Sequence, residues 1–265
     1  MGFFTIHYSF FRHVLSSPAY EIWGCFYEAW GETLLSLMYI LSLGLLTAFA
    51  IRGMFAAQTV SAQEVASRLV ILDAGHGGPD GGAEVSDGTR ESDLNLEITL
   101  KTDAILGLMG EETLLIRDSD TDLSDLSAQS ISQKKVTDIR NRVALVNEHP
   151  DSILVSIHGN SYPESRYHGA QVFYGKVGSS ATLAELIQEN LRKGVDSENQ
   201  RQAKAISSDV YLMNHVSVPA VLVECGFLTN PTELQNLKSA DYQKRLAAII
   251  AVSVANYMGR EVPSV

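Results

Sequence analysis

The chain has 265 residues and a formal net charge of −11, enough length for one catalytic domain with an N-terminal appendage. Residues 68–265 contain 18 basic and 27 acidic residues, so most of the negative charge lies there. Because nucleic-acid binders depend on basic residues that neutralise phosphates, this balance excludes a nucleic-acid partner.

Residues 33–51 form an uncharged run of 19 residues that ends before Arg52. A helix of this length is about 28 Å long and just crosses a hydrocarbon core of about 30 Å. We therefore predict a transmembrane or signal-anchor helix over 33–52, preceded by a segment over 1–32 and followed by a linker over 53–67. A cleavable signal peptide is the alternative, with residues 60–62 as an acceptable cleavage site.

Charge around this run disagrees with export of the C-terminal domain. The 20 residues before it contain no Lys or Arg, whereas Arg52 and Arg68 follow it. By the positive-inside rule, this weak bias would keep the C-terminal domain in the cytoplasm. Translation from Met38 would instead leave a short signal segment, so the start of the protein stays open at this point.

From residue 68 onward, short β-branched runs alternate with helical periodicity, which predicts one α/β domain over 68–262. Its central sheet is expected to be mostly parallel or mixed, with helices on its faces. The predicted strands cover residues 68–72, 113–116, 153–157, 170–174 and 220–224.

Helical patterns separate most of these strands. In the first helix, Leu94, Ile98, Ile105 and Leu108 are expected to share a buried face, and Gly110 to end the helix. The other predicted helices contain Ile139, Val143 and Val146, cover 182–191, and cover 241–257.

A glycine-rich turn follows the first predicted strand and presents one histidine, His76. Five of the eight residues 75–82 are glycines, which lets a ligand come close to His76 at the carboxyl end of a strand. A phosphate-binding loop is disfavoured, because Asp80 stands at the third glycine position of G-x-G-x-x-G and Ala83 stands where a P-loop needs lysine.

The strand predicted over 153–157 also runs into a histidine, His158. Either histidine alone could be a hydrogen-bonded structural residue, but two in matching contexts favour a shared metal. A catalytic zinc takes three protein ligands and keeps one open position. Glu91 is the leading third donor, although it could simply stabilise a helix N-terminus, and Asp73 and Asp80 are rivals.

Glu224 closes the strand predicted over 220–224, after four apolar residues. A carboxylate in this position is costly unless it is paired or functional. It suits a general acid/base beside a metal, and the alternative is a buried ion pair with Arg140 or Arg142. The neighbouring Cys225 is expected to be a buried, inert thiol.

Four phrases in fixed order resemble the zinc-dependent N-acetylmuramoyl-L-alanine amidases (the Amidase_3 family), and most of all their CwlD-type germination-specific members. The likeness spans about 190 residues, and departures such as Ala74, Ser92 and Gly159 remove no donor atom. The phrases are Leu72-Asp-Ala-Gly-His-Gly-Gly-Pro-Asp-Gly-Gly82, Glu91-Ser-Asp93, Ser156-Ile-His-Gly-Asn-Ser161 and Val223-Glu-Cys-Gly-Phe-Leu-Thr-Asn230.

The resemblance implies that His76, Glu91 and His158 bind Zn²⁺ and that Glu224 is the catalytic carboxylate. It implies hydrolysis of the amide between N-acetylmuramic acid and L-alanine in peptidoglycan, during spore cortex modification. The protein is then expected outside the cytoplasm, anchored to the membrane by its N-terminal helix or secreted, with an activating protein as a further partner. The alternatives are a non-catalytic peptidoglycan-binding protein and a zinc hydrolase that cleaves another cell-wall bond.

Overall fold

The computed structural model describes residue 30, residues 33–47 and residues 69–259. The chain divides into two units, Met1–Glu64 and Val65–Val265. In the first unit, residues 33–47 are helical, and no helix among the described residues has the length and apolar character of a membrane span. Residues 48–52 of the predicted span and the linker over 53–67 lie outside the described part, as does nearly all of 1–32. The membrane anchor and the domain bounds stay predictions.

The second unit is built on a mixed six-stranded sheet, as the sequence predicts. The strands are β1 (Val70–Ala74), β2 (Thr113–Leu115), β3 (Ile153–Asn160), β4 (Gln171–Tyr174), β5 (Lys204–Ala205) and β6 (Ala220–Phe227). The strand order is β2-β1-β3-β6-β4-β5, and all neighbours are parallel except β4 and β6.

Helices cover both faces of this sheet. The helices are α1 (Glu91–Leu108), α2 (Ile131–Asn147), α3 (Ser179–Gly194), α4 (Tyr211–His215), α5 (Pro231–Leu237) and α6 (Ala240–Met258). Side chains of α1, α3 and α6 form one apolar cluster with one face of the strands, and α2 and α4 form the second cluster on the opposite face. Because β1 is buried on both faces, its first three residues, 70–72, are all apolar rather than alternating with polar ones.

The helix ends show why these segments are helical. Ser130 and Gln133 form a reciprocal capping box at the start of α2. Asn230 caps α5 and is followed by Pro231 at the first helical position, where its fixed φ suits the helix. Gly110, with φ +85°, follows the last turn of α1, which confirms the predicted end of that helix.

The predicted inner face of α1 is wrong at its C-terminal end. Leu108 is 88% exposed, whereas Leu106 is fully buried. The buried stripe continues through Thr102, whose hydroxyl donates to the carbonyl of Ile98 and so needs no water. The buried face of α1 was therefore predicted incorrectly because it includes a threonine, which apolar periodicity does not count.

The strand bounds also differ from the prediction, and β3 and β6 each extend three residues further than expected, to Asn160 and Phe227. The first strand begins at Val70 and reaches Ala74, two residues later than expected, because its pairing with β3 continues to Ile157. Strand β5 was not predicted, since its two residues, both exposed, are too few to show a period.

Candidate metal centre

The topology brings the ends of three strands together. Strands β1, β3 and β6 are neighbours and run parallel, so their carboxyl ends lie at the same edge of the sheet. His76 follows β1 by two residues, His158 lies in β3, and Glu224 is the register partner of His158 in β6. Glu91 is the first residue of α1, and its carboxylate reaches the same edge.

One donor atom from each of His76, Glu91 and His158 lies within 4.8 Å of the others. Glu91 Oε1 is 3.2 Å from His76 Nε2 and 3.1 Å from His158 Nδ1. Ligands about 2.1 Å from a tetrahedral ion are about 3.4 Å apart, so these spacings suit a metal with little rearrangement. Two imidazole nitrogens and one carboxylate oxygen are also a donor set that zinc accepts.

Glu91 is held rigidly although it is buried. Its Oε2 accepts from the backbone N–H of Ala83 at 2.9 Å, and its Oε1 accepts from Asn95 Nδ2 at 3.2 Å. Burial raises the pKa of Glu91, but hydrogen bonds and charges from His158 and His76 outweigh burial and hold the pKa well below its usual range. Glu91 is therefore an anion aimed at both imidazoles.

The backbone at His76 is strained. Its φ is +63°, in the left-handed region that disfavours residues with a Cβ and costs about 1–3 kcal/mol. Arg142 Nη2 donates to the carbonyl of His76 at 2.8 Å and helps to hold this conformation. Strain that is held in place in this way is typical of functional sites.

Asp80, a rival ligand in the sequence, contacts the other side of the His76 ring. Its Oδ2 lies 3.0 Å from His76 Nδ1, and its Oδ1 pairs with Lys135. Burial lowers the pKa of His76, but Glu91 and Asp80 outweigh burial and raise it to about 9. Asp80 thus orients the ring so that Nε2 faces Glu91.

Asp73, the second rival, is already paired. It is buried and accepts hydrogen bonds from Arg142 Nη1 and Ser156 Oγ, each at 2.5 Å. The predicted alternative in which Arg140 or Arg142 pairs with Glu224 is wrong. Arg142 binds Asp73 and Asp138, and among the described residues Glu224 has no ion pair.

Glu224 borders a cavity of about 280 Å³ that is also lined by His76 and His158. Its Oε2 is buried and has no hydrogen-bond partner within the described part of the chain. Burial is the main reason why the pKa of Glu224 is raised, to about 7, and the charge of Glu91 adds to this. A carboxyl in this state can carry a proton at neutral pH. An unpartnered buried oxygen also fits a site that is completed by a bound group.

Comparisons with known proteins agree with this geometry. Residues 70–256 match the Amidase_3 family, described as N-acetylmuramoyl-L-alanine amidase. The germination-specific N-acetylmuramoyl-L-alanine amidase of Bacillus subtilis is 37% identical over 194 residues, which are 73% of this chain and 81% of that protein. The structure of the CwlD amidase from Clostridioides difficile, in complex with the GerS lipoprotein, is 38% identical with a TM-score of 0.69 and covers 72% of this chain and 98% of that chain.

The chain belongs to the N-acetylmuramoyl-L-alanine amidase family. As a member of this family it is a hydrolase of the cell wall that acts on peptidoglycan. The family is generally zinc-dependent, and the converging donor atoms of His76, Glu91 and His158 fit such an ion. The assignment of individual residues to the metal stays a prediction.

Two glycines of the amidase are required by close packing at this site. A Cβ at Gly75 would overlap the imidazole of His158, and a Cβ at Gly82 would lie 2.5 Å from Glu91 Oε2. Gly82 also has a φ of +68°. The glycines thus make room for the ligand side chains themselves, in addition to shaping the turn.

Sequence reasoning missed the polar side chains that hold the glycine-rich turn around His76 in place. Arg117 is buried and donates to the carbonyls of Ala74, Gly75 and Ser92 at 2.8–3.1 Å. Asn95 donates to both Gly75 and Glu91. No periodicity marks such residues, because their partners are backbone carbonyls distant in sequence.

Cys225 is buried with a raised pKa, as predicted for an inert thiol.

Proposed function

We propose that this amidase hydrolyses the bond between N-acetylmuramic acid and L-alanine with Zn²⁺ held by His76, Glu91 and His158. Glu224 is the residue that moves the proton. The observation that supports this proposal best is the convergence of three metal-type donors beside a buried carboxyl whose Oε2 has no partner. None of these donors is used in the ion pair of Asp73 and Arg142.

A zinc ion bound by these three residues would polarise the scissile carbonyl and make water a better nucleophile at neutral pH. Glu224 takes a proton at its buried Oε2 from the water whose oxygen bonds to the scissile carbonyl carbon, and the raised pKa lets the carboxyl keep the proton briefly. Glu224 then donates the proton to the nitrogen of the leaving L-alanine as the carbon–nitrogen bond breaks. Asp80 keeps His76 Nε2 directed at the site during these steps.

We further propose a role in modification of the spore cortex. Support comes from the likeness to the germination-specific amidase of Bacillus subtilis. The reaction takes place outside the cytoplasm, where peptidoglycan lies, with the residues over 33–52 as membrane anchor or as a cleaved signal. A protein activator is proposed because the similar amidase from Clostridioides difficile forms a complex with a lipoprotein.

The test is digestion of purified peptidoglycan by the full chain with added zinc. We expect free stem peptides that begin with L-alanine, detected by mass spectrometry, and no such peptides after treatment with a chelator. A zinc hydrolase of another bond would release peptides or sugars with different ends. If folded, zinc-loaded protein leaves the glycan fully substituted with peptide, with or without a lipoprotein partner, the amidase proposal is wrong.

A further inference from the structure

A second cavity is lined by Gln171, the register partner of the proposed catalytic residue Glu224. It has a volume of about 560 Å³ and is lined by residues from the segment before β4 and from the segment that leads into β5. We call it the basic cleft and define it by Arg166, Tyr167, Gln171, Arg201 and Lys204.

The basic cleft and the metal cavity are each lined by one residue of the same register pair. Gln171 in β4 is the antiparallel register partner of Glu224 in β6. Directly opposed residues point to the same face of a sheet, with Cβ atoms about 5 Å apart. Gln171 lines the basic cleft and Glu224 lines the metal cavity, so a chain that leaves Glu224 along this face enters the cleft.

Gln171 and Arg201 form one side of the basic cleft and are held in place by hydrogen bonds. Gln171 is 4% exposed, and its Oε1 accepts from Arg201 Nη1 at 2.8 Å while its Nε2 donates to the carbonyl of Gln202. Arg201 Nε donates to the carbonyl of His168, and its guanidinium lies 4.6 Å from the centre of the Phe227 ring. These contacts fix the guanidinium in place, so it is pre-organised for an anion.

The charges of the cleft are unusual for this acidic chain. Among the described residues, neither Arg201 nor Lys204 forms an ion pair, whereas Arg166 pairs with Glu164. Glu198 is the one acidic residue that lines the cleft. Two cations without acidic partners favour an anionic part of the substrate.

The peptidoglycan substrate has a glycan part and a peptide part, and the two differ in charge. The N-acetylated sugars of the glycan are neutral, whereas the stem peptide carries free carboxylates. An extended peptide advances about 3.5 Å per residue, so a carboxylate on the residue after L-alanine lies about 7 Å from the scissile amide. Arg201, whose guanidinium donates a hydrogen bond to the register partner of Glu224, is a cation on this path that can meet such a carboxylate.

We propose that the basic cleft binds the stem peptide, with Arg201 and Lys204 recognising the carboxylate of the residue that follows L-alanine. This proposal rests on the proposed amidase function and assigns its specificity. Arg201 makes the directed hydrogen bond through its guanidinium, and the exposed Lys204 adds charge at the rim.

The experiment compares two muramoyl tripeptides that differ only in the second residue, D-isoglutamate or its amide D-isoglutamine. We expect kcat/KM to be about tenfold higher for the carboxylate form, mainly through a lower KM. This is the effect of one partly exposed charge-assisted hydrogen bond on affinity. Arg201→Gln should bring the ratio to about twofold or less, and Lys204→Gln should lower it about threefold. Lys244→Gln, which removes a cation that does not line the cleft, should keep the ratio.

Because Arg201 also contacts Gln171, thermal unfolding must confirm that its variant folds. Lys204→Gln provides a second test, since Lys204 is exposed and, among the described residues, its side chain forms no ion pair. Equal kcat/KM for the two tripeptides in the wild type, or a ratio unchanged in both variants, would overturn the cleft proposal and leave the amidase function standing.

Binding without turnover separates the two proposals further. The full-length Glu224→Gln variant is titrated with each tripeptide by calorimetry, with inorganic phosphate as a competitor. Selective binding of the carboxylate form supports the cleft even if no hydrolysis is found in the wild type. Displacement by phosphate at equal concentration would show a general anion site and would overturn the proposal.

Discussion

Glu91 and Glu224 occupy the same edge of the sheet, but their surroundings are opposite. Glu91 accepts hydrogen bonds from the backbone and from Asn95, faces two imidazoles, and has a pKa well below its usual range. Glu224 has a buried Oε2 with no partner and a pKa raised to about 7. Partners, rather than burial, therefore separate a permanent anion that suits a metal from a carboxyl that can carry a proton.

The largest effect is expected from Glu91→Ala, which removes a donor and leaves two imidazoles without their shared anion. Zinc affinity should fall by more than the 10–100-fold typical of losing an outer-shell partner, and activity should be lost with it. Metal analysis after dialysis measures this. Glu97→Ala on the exposed side of α1 is the matched control and should retain zinc. Full zinc content in Glu91→Ala would remove Glu91 from the ligand set.

Glu224→Gln should separate the two carboxylates most clearly. The amide cannot take a proton from water, so turnover should fall by about 10²–10⁴-fold while zinc content stays at the wild-type level. Peptide release by mass spectrometry and metal analysis on the same sample measure both. The neighbouring Cys225→Ala should keep activity, because the thiol of Cys225 is buried and its pKa is raised. Normal turnover in Glu224→Gln would contradict the proposed proton transfer.

Asp73 extends the comparison to a carboxylate whose role is structural. Burial raises its pKa, but Arg142 and other partners outweigh burial and hold it below the usual value. Its stabilising effect is therefore present above the unfolded pKa of about 4 and is lost as pH falls through the lower folded pKa. Asp73→Asn should lower the free energy of unfolding by about 3 kcal/mol at pH 7.

Denaturant unfolding of the wild type and Asp73→Asn, at pH 7 and in acid, measures this effect. The difference between them should shrink as the pH falls from about 4 towards the lower folded pKa, because the carboxyl of the unfolded wild type takes up a proton first. A difference that is the same at every pH would mean that packing, and not the charge of Asp73, is responsible.

The smallest of these effects is expected for Asp80→Asn. The amide still fits beside His76 Nδ1 but is a weaker partner, so zinc affinity should fall by about 10–100-fold with the ligand set intact. Competition with a zinc-binding dye gives the affinity, and Asp118→Asn in a nearby loop is the control. A loss as large as that of Glu91→Ala would instead place Asp80 on the metal.

The sequence was most informative where a strand ends in a functional residue. Buried β-branched runs that lead into His76 and His158 placed both at one sheet edge, and the structure brings them together. It was least informative about α1, because the buried Thr102 is polar in sequence and Leu108 is exposed. Apolar periodicity describes contacts with the core and carries no signal for threonines that bond their own helix.

The rival roles of the carboxylates could not be resolved from sequence. Asp73, Asp80, Glu91 and Glu224 were all plausible donors or partners, and Arg142 was assigned to Glu224 as an alternative. In the structure Arg142 binds Asp73 across 69 positions of sequence. The resemblance to the amidases selects Glu91 as a metal ligand and Glu224 as the catalytic carboxylate, which spacing alone does not, and both assignments stay predictions.

The sequence by itself determined the α/β class, the family and the residue types at the sheet edge, because these depend on local patterns and motifs. Only the tertiary structure decided which carboxylate has partners and which has none. It also placed Gln171 opposite Glu224, through an antiparallel pairing that no local pattern encodes, and Arg201 against Gln171. The pKa of a carboxyl depends on groups within a few ångströms in space, and those groups come from distant parts of the chain.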